Sequence, residues 1–434
     1  MTRRSTCSNM KTKPNHHRYL ISLVITALII TRVITAYSAP ETKELLPANN
    51  TFALDLYSRL AKQPGNLVLS PFSVGTALAM ASAGARGETA RQMASALHLP
   101  DDHDHTHSGF LEWLKEMNET NASSCQLVIA NSLWVQHGAS LKGSFKKVVH
   151  DQYDAMLGEV DFKNSPDAAR KQINAWIAAK TRGKIPDLIE PDAVHSQTDL
   201  VLANAIYFKG RWEIPFDPEA TKHLPFRPAP GETVSVPIMH ATRDFRYAET
   251  ATLQALEIPY SDAQNLYEEP PYASNRFSMV ILLPTQADDL PKLERELTAI
   301  QLDRLRAQGR SMAVSVSLPK FKINSGFRLK AMLQAMGISH AFSAGRADFS
   351  AITGSRSLSI EFVRHQAQVD IDESGTEATG ATAVGETHGF HMAPPQFNAD
   401  HPFLFLIRHN PSGTILFIGR VTDPLSGVSG PTGD

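Results

Sequence analysis

The 434-residue sequence predicts an α+β protein, a large β-sheet with helices packed on it and one exposed loop near the carboxy terminus. Gln126–Val135 and Asp199–Phe208 are near-continuous apolar runs, as expected of strands in a sheet covered on both faces. Amphipathic segments with caps and glycine breaks separate such runs, as helices would. Between Ser374 and Gly389, twelve of sixteen residues are Gly, Ala, Ser or Thr, too little apolar bulk to bury, so this stretch is a loop.

With 42% apolar and 20% charged residues the chain is globular, long enough for one large or two ordinary domains, and no internal repeat divides it. Lys and Arg number 42 against 44 Asp and Glu, a balance that argues for neither nucleic acid nor an anionic membrane as partner. Residues 1–38 read as a secretory signal: Arg3, Arg4, Lys11, Lys13 and Arg18 lead an apolar run from Tyr19 to Ile30, and Ala36 and Ser38 offer a cleavage site. An uncleaved anchor is the alternative, but the run is shorter than the roughly 20 residues a spanning helix needs. After cleavage no membrane contact is expected. Cys125 then stands alone, and a large core must supply stability without a disulfide.

Taken in order, Glu41–Gln63 is an opening helix that stops before Pro64-Gly65. Asn66–Ser73 is a short strand turning into a helix capped by Ser70, with Pro71 at its first position. Gly84–Gly87 breaks that helix, and another runs from Glu88 to Leu97. Asp101–His107, D-D-H-D-H-T-H, carries three histidines that could hold a divalent ion, but a loop between helices with no carboxylate–histidine outer shell reads as solvated, so no metal is expected. Ser108–Asn118 is an amphipathic helix, and Asp167–Ile189 is a helix followed by a glycine turn. Thr233–Tyr260, Phe277–Pro284 and Ala313–Ile323 supply strands, while Leu290–Leu305 and Phe327–Gly337 read as helices. Val363–Asp372 alternates, with Val363, Ala367, Val369 and Ile371 on one face, and is a half-buried strand. Apolar strand text resumes after Pro394-Pro395, and Leu425–Asp434 is a Gly/Pro/Ser tail expected to be disordered.

The small-residue loop hangs between two strands and has its own logic. If it entered a sheet as an extra strand, alternate residues would pass into a packed interior where one methylene is felt. Thr376, Ala378, Gly380, Thr382 and Val384 share one parity, and none is large, charged or proline; Glu386 and His388, further on, are less suited. The text E-S-G-T-E-A-T-G-A-T from Glu373 resembles the hinge of the serpin family's reactive-centre loop, and F-N-A-D-H-P-F-L-F from Phe397 resembles its carboxy-terminal signature. N-A-I-Y-F-K-G-R-W from Asn204 and the D-F-S-x-I-T turn at Asp348–Thr353 match the same family, and the resemblance spans about Glu41 to Pro424.

That resemblance implies a serpin fold, with a large central sheet, two smaller sheets, about eight or nine helices and an exposed reactive-centre loop at about 373–396. It implies a hinge at Glu373, Gly375, Thr376, Glu377, Ala378, Gly380 and Thr382. It also implies a shutter of Ser70, Ser73, Asn204 and His365 under the sheet's centre, and a breach of Trp212, Lys320 and Glu373 where insertion begins. The scissile bond falls at Gly389–Phe390 or Phe390–His391, in a region without Lys or Arg from 365 to 407, which suits a chymotrypsin-like or cathepsin-like target. The implied activity is suicide inhibition of a serine protease through a covalent acyl complex, with cysteine proteases as a further partner class; a non-inhibitory carrier, chaperone or storage serpin is the alternative. The chain itself would hold no catalytic residue and no cofactor, consistent with the lack of H-E-x-x-H, G-x-S-x-G, P-loop or dinucleotide motifs. With Lys115 as the only base of helix 108–118, heparin is not expected as a partner, and the protein is expected to be a monomer.

Overall fold

The computed structural model describes residues 40–100, 103–118, 125–261, 276–376 and 393–432. Its central sheet has seven strands in the order β16 (Val428–Thr432), β10 (Phe321–Arg328), β11 (Ile360–Asp372), β12 (Gly375–Thr376), β4 (Leu200–Arg211), β2 (Cys125–Gln136) and β3 (Met156–Val160). β4 shows why its text is continuously apolar. Leu200, Leu202, Ile206 and Phe208 enter the main core, whereas Val201, Ala203 and Ala205 enter a second core on the other face with Ile173 and Ile177 of helix α6 (Pro166–Lys180). Both parities are buried, so the strand has no polar face.

The second sheet has nine strands. Its path is β1 (Leu67–Leu69), β15 (Ile415–Val421), β14 (Phe403–His409), β8 (Phe277–Pro284), β7 (Leu253–Pro259), β6 (Val234–Glu249), β9 (Arg310–Pro319) and β13 (Gln396–Asn398), and β5 (Lys222–Phe226) pairs with β6. The two smaller sheets implied by the resemblance are thus continuous through the 16-residue β6, whose Arg246–Glu249 end pairs with β7 and whose Ile238–Tyr247 stretch pairs with β9.

The helices in the first half are α1 (Pro40–Leu60), α2 (Pro71–Ser82), α3 (Gly87–Ala96), α4 (His103–Asn118) and α5 (Gly143–Tyr153), before α6. After β8 come α7 (Leu290–Glu296), α8 (Ala299–Gln308), α9 (Lys330–Ala335) and α10 (Ser350–Thr353). Ser70 caps α2 by accepting from Ser73 N–H, Pro71 starts it, and all twelve residues are buried against the underside of the central sheet.

Several boundaries differ from the sequence reading, each for a local reason. Helix 290–305 is two helices, because Leu297 is extended and Thr298 starts α8 with a full capping box to Gln301. Phe327 and Arg328 belong to β10, where Phe327 pairs opposite His365, so helix α9 is short. His103–His107, read as loop, opens α4, with His107 hydrogen-bonded to Tyr153 Oη at 2.6 Å. Lys115 of α4 is paired with Glu112. The tail read as disordered forms β16, because the free edge of β10 offers its backbone a partner that composition cannot reveal. Residues 1–38, read as a signal, lie outside the described residues. Among the described residues no helix is long and apolar enough to cross a membrane, and no His/Cys/Asp/Glu cluster could hold a metal.

Candidate functional site at the seam of the central sheet

The site is built on a mismatch in the central sheet. β10–β11 and β4–β2 are antiparallel pairs, but β11 and β4 run parallel, joined by eight register pairs from Ile360↔Leu200 to Gln368↔Tyr207. Parallel ladders are slightly weaker per residue than antiparallel ones; β2–β3 and β16–β10 are parallel as well, but β11–β4 is the parallel ladder into which a further strand has already started. Above Gln368 the two strands diverge, and β12 fills the gap, antiparallel to both: Thr376 lies opposite Ile371 and Gly210, and Gly375 opposite Asp372 and Arg211. The first hinge residues are therefore already a short strand in the seam.

The turn into β12 is held by Asp372, Glu373, Lys320 and Trp212. Asp372 Oδ1 accepts from Ser374 N–H (2.8 Å) and Gly375 N–H (3.2 Å), which folds the chain back on itself at the end of β11. Gly375 has φ of +143°, and a Cβ there would come within 2.1 Å of Gly210 O, so only glycine fits. Glu373 takes Lys320 Nζ at 2.8 Å and Thr221 Oγ1 at 2.8 Å; burial pushes its carboxyl pKa up, but these donors outweigh burial and leave it below its usual value. Trp212 is buried beneath, its indole N–H donating to Asp372 O (3.0 Å) and its backbone N–H to Ser374 O (2.9 Å). Trp212 stacks on Tyr260 at 4.6 Å, and Tyr260 Oη hydrogen-bonds Thr376 Oγ1 at 2.7 Å. Thr376 is fully buried.

The shutter residues meet half-way down the seam. His365 on β11 stands opposite Asn204 on β4. Ser70 N–H donates to His365 Nε2 (3.0 Å), so Nε2 is unprotonated and Nδ1 carries the hydrogen it donates to Asn204 Oδ1 (2.5 Å). Asn204 Nδ2 donates in turn to Ser73 O (3.1 Å), Ser73 Oγ (2.5 Å) and Asn131 Oδ1. Complete burial drives the His365 pKa down to about 3, which keeps the imidazole neutral. The His365–Asn204 bond thus crosses the β4–β11 ladder from one strand to the other.

The structure thus assembles Ser70, Ser73, Asn204 and His365 in one cluster, and Trp212, Lys320, Glu373, Gly375 and Thr376 in another. The remaining hinge residues, Glu377, Ala378, Gly380 and Thr382, and the reactive-bond region, Gly389, Phe390 and His391, lie outside the described residues. Sequence reasoning missed Asn131, Thr221 and Tyr260. Asn131 was legible, since it is a polar residue on the inward parity of Leu127, Leu133 and Val135. Tyr260 and Thr221 carry no such signal, because each reaches the hinge only through tertiary packing.

Residues 47–424 match the family described as Serpin (serine protease inhibitor). The leukocyte elastase inhibitor of Xenopus tropicalis is 40% identical over 390 residues, covering 88% of this chain and 100% of that protein. An uncharacterized serpin-like protein of Thermococcus kodakarensis is 39% identical over 388 residues, covering 89% and 87%. Among solved structures, Serpin48 of the insect Tenebrio molitor superposes with a TM-score of 0.78 at 32% identity, covering 89% of this chain and 99% of that one. Uncleaved ovalbumin superposes with 0.77 at 28%, covering 88% and 100%. On its sequence match, its relatives and its fold, the chain belongs to the serpin family.

Proposed function

We propose that this serpin is a secreted suicide inhibitor that traps a chymotrypsin-like or cathepsin-like serine protease as an acyl-enzyme. The observation that carries the reading is the wedge: β12 occupies the top of a parallel seam that continues below it for eight register pairs, with a buried small residue, Thr376, as the leading inward side chain. Ala378, Gly380, Thr382 and Val384 continue the same parity. Insertion exchanges one parallel ladder for two antiparallel ones. Each net bond contributes about 0.5–1.5 kcal/mol and each ordered residue costs about 1–2 kcal/mol, so the balance is close and inward side chains decide it.

In this reading the target's serine oxygen bonds to the carbonyl carbon of Phe390, the Phe390–His391 C–N bond breaks, and the amine leaves with the proton brought by the target's histidine; a cut at Gly389–Phe390 is the alternative. The freed end then enters the seam, strand addition of the kind known for serpin loops. About 15 residues at about 3.3 Å each carry the bound protease roughly 50 Å before water completes hydrolysis. The chain contributes no catalytic group, only the bait and the seam. Residues 1–38 direct export and are removed, and Phe390 fills the target's primary pocket. Cysteine proteases with a similar pocket are a further partner class.

The test is incubation with a panel of chymotrypsin-like and cathepsin-like proteases, followed by boiling in detergent. A complex of summed mass that survives is expected. Cleaved serpin with fully active protease across the panel would instead favour a carrier, chaperone or storage role.

A further inference from the structure

The family match ends at residue 424, yet the chain beyond it is held. Asn66, buried ahead of β1, devotes its side chain to the turn that leads into the tail. Its Nδ2 donates to Asp423 O (2.7 Å) and Ser426 O (2.6 Å), and its Oδ1 accepts from the N–H of Thr422 (2.7 Å) and Asp423 (3.1 Å). Asn324 N–H donates to Gly427 O (3.2 Å), after which β16 runs parallel to β10 with Val428 opposite Asn324, Ser429 opposite Ser325 and Thr432 opposite Phe327. Gly430 and Pro431 together face the single residue Gly326, which makes a bulge. Without β16, β10 would be the outermost strand of the central sheet. Such an edge offers its unpaired N–H and C=O groups to any extended chain.

We propose that the outer edge of β10 is a strand-accepting site, filled in cis by residues 428–432 and thereby closed to a strand from a second copy of this chain. The tail is suited to this. Proline is tolerated only in a strand whose outer side is unpaired, and Pro431 with its bulge denies a further strand a regular ladder on β16. The link from the Asn66-anchored turn is short, so the tail's effective concentration at the edge is on the order of millimolar, against micromolar for another molecule. The strap also lies on the β10–β11 side of the seam. It pairs alike whether β4 and β11 are joined or parted, and a contact made equally in both states shifts neither.

Two full-length-derived variants test this: a chain ending at Gly427, and the parent chain carrying V428P and S429P. Each is held a few degrees below its melting temperature and read by size-exclusion chromatography and by hydrogen exchange at residues 324–327. Both variants are expected to exchange those amides and lose monomer several-fold faster than the parent, and a peptide of residues 425–434 to slow both. Protease trapping by the monomer is expected to be unchanged. Equal exchange and equal monomer loss would overturn the proposal, and faster exchange without monomer loss would overturn the second copy as the excluded partner. Altered trapping would also overturn it, by placing the tail in the insertion step. The exchange and association readouts stand whether or not the chain traps proteases.

Discussion

At the scale of single residues, His365 is the side chain whose chemistry is most constrained. Burial holds its pKa at about 3 in the folded protein, against an ordinary value of 6.5. Between these values the unfolded chain binds a proton that the folded chain refuses, so the contribution to stability is full above pH 6.5 and is lost as the pH falls toward 3. From pH 7 to pH 5 His365 alone predicts a loss of about 2 kcal/mol. His409 is also driven down to about 3, by burial first and then by Arg276 and Arg408, and adds a loss of the same sign. Urea unfolding at the two pH values checks this, and His365→Gln is expected to remove about half of the slope; an unchanged slope would mean that His365 is protonated when folded. Much of this was legible: His365 lies on the apolar parity of a strand, where only a satisfied histidine survives. That Ser70 N–H fixes its tautomer was not, because it depends on how α2 docks.

At the scale of elements, β12 and the parallel seam carry the proposed function. Thr376 is fully buried under Tyr260 and leads the inward parity, so Thr376→Arg would place a charge in the core at the first step of entry. The expected outcome is a well-folded substrate, cleaved at the loop with several-fold less detergent-stable complex, measured by gel densitometry. Gly375→Val acts earlier, since its side chain would collide with the Gly210 carbonyl and expel β12 from the seam. Faster hydrogen exchange at residues 374–376, with the β4–β11 ladder still protected, is the expected signature. The hinge text could be read from sequence because Thr376, Ala378, Gly380, Thr382 and Val384 keep one parity free of large, charged or proline residues, as the proposed insertion would require. The edge strand β16 could not, because its pairing is made by backbone, and a Gly/Pro/Ser composition is equally that of a disordered tail. The break between α7 and α8 was also missed, although the Thr298–Gln301 capping box was present in the text.

At the scale of the whole molecule, the fold was legible because long apolar runs and family-like strings extend over nearly the full chain, whereas the continuity of the second sheet through β6 depends on strand bending that local pattern does not encode. On the proposed function the intact chain holds an unfinished sheet, with a parallel ladder where two antiparallel ones could stand. Thermal melting of the intact protein beside the same protein nicked once within residues 377–392 tests this most directly. The nicked form is expected to melt well above the intact form, since the freed segment can complete the seam; identical melting temperatures would mean that the seam does not take up the freed segment.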